Sequence, residues 1–85
     1  MDNEKYELVV YTRDGCHLCD ALIDELGQFC LNNPYTFKLV EISGDELLEN
    51  LYGTKVPVVT FKEDILCFYF LDTDLIDVYF DRGRN

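Results

Sequence analysis

The sequence predicts an α/β fold, its elements in the order βαβ-α-ββ-α, with a four-stranded mixed sheet flanked by helices. Three observations predict it. The strand-like runs Leu8-Val9-Val10-Tyr11 and residues 36–42 enclose a segment whose apolar residues Leu18, Leu22, Leu26 and Phe29 recur every three or four positions. Two later apolar runs, residues 57–62 and 65–70, are split by Glu63-Asp64 and read as an antiparallel hairpin. Asn32-Asn33-Pro34, Ser43-Gly44-Asp45-Glu46 and Asp72-Thr73 supply helix-ending and helix-capping signals between the runs.

Each element follows in turn. Residues 1–4 are polar and carry no pattern. Residues 5–12 read as a first strand, with a continuous apolar centre that suits burial on both faces. Residues 16–31 read as the first helix. Asn32-Asn33-Pro34 ends it, because proline pushes the residue before it out of the helical region. Residues 36–42 are the second strand, and the helix between the two makes them parallel, in a right-handed βαβ unit. Ser43 and Glu46 have capping-box spacing ahead of a short helix reaching about Tyr52, with Gly53 at its C′ position. The hairpin turn lacks Gly and Asn, which a two-residue turn favours. Asp72 or Thr73 caps a last helix carrying Leu75, Ile76, Tyr79 and Phe80, with Arg82 and Arg84 at its negative end. Residues 1–85 are thus read as a single domain with a small core.

Composition narrows the class. Hydrophobic residues make up 48% of the chain, enough for a folded globule. The 4 cysteines in a short chain raise the possibility of a secreted disulfide scaffold. Against it, Met1-Asp2-Asn3-Glu4-Lys5 lacks the basic start and apolar run of a signal peptide. No stretch approaches the ~18 apolar residues of a membrane span. A cytoplasmic, monomeric protein is expected, its thiols reduced except during turnover. A formal charge of -10 disfavours nucleic acid and anionic membranes, and suits solubility.

The chemistry concentrates at Cys16-His17-Leu18-Cys19. A strand, a turn with Gly15, and then a cysteine pair opening a helix is the setting of a redox motif. A helix N-terminus presents unpaired N–H groups and the positive end of the macrodipole, and both favour thiolate over thiol. Cys16, at the cap or first helical position, reads as the nucleophile. Cys19, almost one turn further in, reads as the resolving thiol. His17, the chain's only histidine, either stabilises the Cys16 thiolate as a cation or donor, or is an ordinary exposed first-turn residue. Asp14 and Asp20 oppose the thiolate. Two other readings of the pair are packing by small hydrophobic side chains and half of a zinc site. A structural zinc site wants four ligands, and Cys30 and Cys67 are single, so no metal is assigned. Cys30 lies roughly 20 Å from Cys16 along one helix, too far for a disulfide. Both it and Cys67 read as packing residues.

Cys-x-x-Cys at the first helix, together with Val56-Pro57 opening the third strand, resembles the thioredoxin superfamily and more closely the short glutaredoxin-like proteins. The resemblance covers nearly the whole chain. It implies a cis Val56-Pro57 bond beside the cysteines, with the Val56 N–H and C=O pairing with an extended thiol substrate. It also implies that Arg13, three residues before the first cysteine, contacts a glutathione carboxylate. Thr73, or the helix N–H groups around it, would bind glutathione's γ-glutamyl end. The chain departs from that family in three places. His17-Leu18 replaces the usual Pro-Tyr type of pair. Phe70-Leu71-Asp72-Thr73-Asp74 replaces a Gly-Gly turn. Val9 and Val10 stand where thioredoxins keep a buried acid.

The expected function is therefore thiol–disulfide oxidoreduction on protein or small-molecule disulfides, with a cellular thiol reductant as partner. No cofactor is expected; glutathione enters as a possible co-substrate. Long-range repulsion and the two aspartates of the last-helix loop predict that glutathione reduces the pair poorly, with Arg13 as its clearest attraction. The alternatives are a module that binds metal or an iron–sulfur cluster, and a non-catalytic partner-binding domain.

Overall fold

A computed structural model describes residues 5–81. The order is β1 (Tyr6–Thr12), α1 (His17–Leu31), β2 (Tyr35–Glu41), α2 (Glu46–Tyr52), β3 (Val58–Phe61), β4 (Asp64–Phe68) and α3 (Thr73–Tyr79). One four-stranded sheet runs β2-β1-β3-β4. β1 pairs parallel with β2, and the β1·β3 and β3·β4 pairs are antiparallel. The mixed sheet and the element order match the sequence reading. The N-terminal residues 1–4, and Arg82 and Arg84 at the end of α3, lie outside the described residues.

Side-chain alternation along β1 assigns the two faces of the sheet. Leu8 and Val10 join Leu22 and Leu26 of α1, Ile76 of α3, Tyr35, Val59, Leu66 and Cys67 in one buried cluster. Successive strand residues point to opposite faces, so Val9 and Tyr11 face away from that cluster. Tyr11 stacks on Tyr52 of α2, ring centroids 4.3 Å apart. The expectation that β1 is buried on both faces is therefore corrected. Leu8, Val10 and Thr12 are buried, whereas Val9 and Tyr11 are only half-buried. The reason is cover: α2 is a helix of 7 residues, against the 15 of α1.

Local chemistry explains the other differences. α2 is capped by Asp45, whose carboxylate accepts the Leu48 N–H at 3.1 Å, so Ser43 is not the cap and the capping box does not form. Gly53 ends α2 with φ −55°, a right-handed conformation and not the left-handed C′ expected. A Cβ there would instead run into the Glu49 carbonyl. The hairpin turns at Lys62-Glu63, one residue earlier than expected, with φ of +48° and +78°. Two left-handed residues are what a type I′ turn requires, here without the usual Asn or Gly. β4 stops at Phe68 rather than residue 70, because Tyr69 turns left-handed at φ +69° and Phe70 N–H bonds back to the Phe68 carbonyl at 2.8 Å. Asp72 caps α3, accepting the Leu75 N–H at 3.1 Å.

Aromatic rings close the core at the start of β1. Phe80 stacks on Tyr6 at 4.2 Å and meets Phe61 edge-on at 4.9 Å, while Phe29 stacks on Tyr35 at 5.3 Å. The Tyr35 hydroxyl donates to Asp77 Oδ1 at 3.0 Å, which ties α3 to β2. Among the described residues, no helix is long and apolar enough to cross a membrane.

Ile76 has no exposed surface and is the only buried residue of α3. Ile76→Ala should cost about 2–5 kcal/mol, a large share of the stability of a domain this small. Urea denaturation followed by far-UV circular dichroism measures the shift in midpoint.

Candidate active site

β1 delivers the chain to the site. After Thr12 the backbone makes a four-residue turn, in which Cys16 N–H donates to the Arg13 carbonyl at 3.2 Å. Gly15 has φ +79° at the third position, the conformation that a type II turn reserves for glycine. Such a turn keeps its end Cα atoms within about 7 Å. Arg13 and Cys16 are therefore neighbours in space as well as in sequence. Nothing crowds the missing Cβ of Gly15, so the requirement there is conformational alone.

Cys16 is the N-cap of α1, and its Sγ accepts the Cys19 N–H at 3.1 Å. The geometry answers both conditions set by the sequence. The sulfur sits at the positive end of the helix and is bonded by one of its free donors. Cys19, one turn on, is bonded to Cys16 as a disulfide, with Cα atoms 5.2 Å apart. The two sulfurs differ in access: Cys16 is half-buried, while Cys19 is 2% exposed. Cys16 is thus the more accessible sulfur of the pair. His17 opens the helix with an exposed side chain.

Strand register brings in Val56-Pro57. Tyr11 of β1 pairs with Val58 of β3, which sets Pro57 beside the end of β1, where the turn to Cys16 begins. The Val56-Pro57 bond is cis, as the resemblance implied. The Pro57 carbonyl accepts the Tyr69 N–H at 2.9 Å, and the Tyr69 hydroxyl donates to the Thr54 carbonyl at 2.6 Å. Tyr69 thus holds the cis-proline loop at both ends. The Val56 N–H and C=O hydrogen-bond to no described residue.

Arg13 is engaged by groups of its own chain. Its Nη1 and Nη2 donate to the two Glu49 carboxylate oxygens at 2.9 and 2.7 Å, and Nη2 also donates to the Gly53 carbonyl at 3.0 Å. The hydrogen bond from Arg13 holds the Glu49 carboxyl below its ordinary range, and the same bond raises Arg13. Glu41 braces the neighbouring backbone, accepting the Asp14 N–H at 3.1 Å and the Ser43 N–H at 3.0 Å. Its carboxyl is lowered by the bonds from Ser43. Neither Glu49 nor Glu41 is marked in the sequence: each is one carboxylate among many on an acidic chain. Tyr69 carries no signal either, since its position in the apolar run reads as strand.

Thr73 is the first residue of α3 and half-buried, with the cap taken by Asp72. The loop before α3 meets α1 instead through Tyr69, Phe70 and Leu71. These line a groove of about 220 Å³ with Leu18, Ala21, Leu22 and Glu25. Cys30 and Cys67 pack as expected: Cys67 lies in the buried cluster and Cys30 against it. Burial pushes both thiols up from their ordinary values. Among the described residues, no three or more His, Cys, Asp or Glu side chains are grouped to hold a metal.

The Glutaredoxin-like domain (DUF836) family matches residues 7–80. The chain belongs to this glutaredoxin-like family. Protein Ne2328 from Nitrosomonas europaea, solved by solution NMR, is 42% identical over 89% of this chain and 92% of that one, with a TM-score of 0.79. Protein XcR50 from X. campestris, solved by X-ray crystallography, is 32% identical over 87% of this chain and 95% of that one, with a TM-score of 0.66. Its solution structure gives 0.65 at the same identity. No curated protein matches the sequence. A glutaredoxin-like domain with Cys16 and Cys19 at disulfide distance fits a redox role.

Two outcomes test this geometry. In the reduced protein, iodoacetamide below pH 7 should modify Cys16 first, with Cys19, Cys30 and Cys67 much slower. Peptide mapping by mass spectrometry reads the order, and a faster Cys19 would reverse the assignment. Gly15→Ala should destabilise the protein by about 1–2 kcal/mol through its left-handed backbone, read as a lowered thermal midpoint.

Proposed function

We propose that this chain is a thiol–disulfide oxidoreductase, acting in the cytoplasm on protein or small-molecule disulfides and recycled by a cellular thiol. The observation that carries the reading is the asymmetric pair: an accessible Cys16 capping α1, joined to a buried Cys19. In the reduced state the Cys16 thiolate attacks one sulfur of a substrate disulfide. A Cys16–substrate bond forms, and the other substrate sulfur leaves as thiolate and takes a proton. Cys19 then loses its proton and attacks Cys16 Sγ. The second substrate sulfur leaves, and two electrons have passed from the dithiol to the substrate. The N–H of Cys19, which reaches Cys16 Sγ at 3.1 Å, stabilises the thiolate at the start of this cycle. His17, exposed and next in sequence to Cys16, is available as a further hydrogen-bond donor to that thiolate. The free N–H and C=O of Val56 offer an extended substrate two backbone hydrogen bonds beside the cysteines.

The roles separate by substitution. Cys16→Ser should abolish reduction of a model disulfide, while Cys19→Ser should accumulate a stable Cys16 mixed disulfide, visible as a mass adduct. Cys30→Ala with Cys67→Ala should keep the Cys16–Cys19 disulfide and turnover, with a lowered unfolding midpoint. Loss of turnover in that folded double variant would overturn the reading.

A further inference from the structure

The cation nearest the dithiol in sequence is already bound to a carboxylate of its own chain. Arg13 opens the turn that ends at Cys16, and the planar fork of a guanidinium matches the carboxylate of an anionic thiol. Glu49 fills that fork with two hydrogen bonds, and the Gly53 carbonyl takes a third. Glu41, the last residue of β2, acts on the same guanidinium through its charge. Asp14 and Asp20 flank the cysteines in the chain. We infer that Glu49 is a specificity-determining residue: by occupying Arg13 it denies anionic thiols their anchor and biases the Cys16–Cys19 pair toward neutral or cationic thiols and disulfides. The inference rests on the oxidoreductase reading and adds to it the class of co-substrate.

The step concerned is reduction of the pair. A thiolate attacks Cys16 Sγ, the Cys16–Cys19 bond breaks, and Cys19 leaves as thiolate and is protonated. A second thiolate attacks the attached thiol's sulfur, releasing the Cys16 thiolate and a small-molecule disulfide. The two thiols are oxidised and the pair is reduced by two electrons. A carboxylate on the attacking thiol gains from Arg13 only if Glu49 gives way. An ammonium on the thiol gains nothing from Arg13 in either case. Lys55, one residue before Val56, forms no ion pair with a described residue, but it offers a point charge rather than a fork.

The test compares glutathione, an anionic thiol, with cysteamine, a cationic one, as reductants of the oxidised full-length protein. Acid quenching, alkylation and mass spectrometry give the two rates, and their ratio is the readout. Glu49→Gln should raise the glutathione-to-cysteamine ratio about threefold or more, in line with the modest worth of an exposed ion pair. Glu49→Ala, which substitutes a strong helix former, should do the same. Glu46→Gln, an exposed α2 residue, controls for the change in net charge and should move the ratio far less. The gain should vanish in Arg13→Gln with Glu49→Gln. A ratio unchanged by both Glu49 variants, or raised equally by Glu46→Gln, overturns the assignment. So does a ratio that follows Lys55→Gln and not Glu49. If neither thiol, nor dithiothreitol, reduces the wild-type pair, the oxidoreductase reading itself falls, a result distinct from an unchanged ratio.

Discussion

Burial of one face of β1 is the constraint on which the rest depends. Leu8 and Val10 have no exposed surface, and they are covered by α1 and α3 together. With strands on both sides, β1 has no free edge. Its direction is therefore fixed, and its C-terminal end must release the chain at one end of the sheet. The turn from Arg13 to Cys16 starts there, α1 begins immediately after it, and the register of β3 sets Pro57 alongside. The aromatic cluster around Tyr6, Phe61 and Phe80 closes the opposite end, at the start of β1. Aromatic packing is thus concentrated at the end away from the cysteines, and Cys16 is left half-buried at the other.

The site itself is built from local and long-range parts. The local part is the cap: Cys16 and Cys19 are one turn apart, so the sulfur and the N–H that bonds it belong to the same short segment. The long-range part is the bracing. Glu41 and Glu49 reach the turn from β2 and α2, and Tyr69 reaches the cis-proline loop from beyond β4. Each brace joins segments far apart in sequence, so the turn and the proline loop are held independently of the disulfide. The Cys16–Cys19 pair thus sits on backbone that has anchors of its own. Such support is what a site needs if it is to pass repeatedly between two covalent states.

Arg13 shows how one contact alters a functional reading. Read alone, an arginine three residues before a nucleophilic cysteine is a free cation awaiting an anionic substrate. Set against Glu49 and Gly53, it is a tie between the active-site turn and α2. The formal charge of -10 adds a long-range repulsion of anions, which salt screens.

The sequence by itself determined the parts governed by short-range rules. Apolar runs, helical periodicity and cap residues located seven elements, and the cysteine pair at a strand-to-helix turn marked the candidate site. With Val56-Pro57 it also pointed to the family that residues 7–80 match. Tertiary structure decided whatever depended on partners distant in the chain. Asp45 rather than Ser43 caps α2, because Ser43 lies outside the helix and its N–H is bound by Glu41. Gly53 is required by close approach rather than by a left-handed turn. Tyr69 leaves the strand to hold the proline loop. Above all, only the folded chain joins Glu49 to Arg13 across 36 positions. Propensity and spacing act within a few residues, whereas the choice of which carboxylate meets which cation is made by packing.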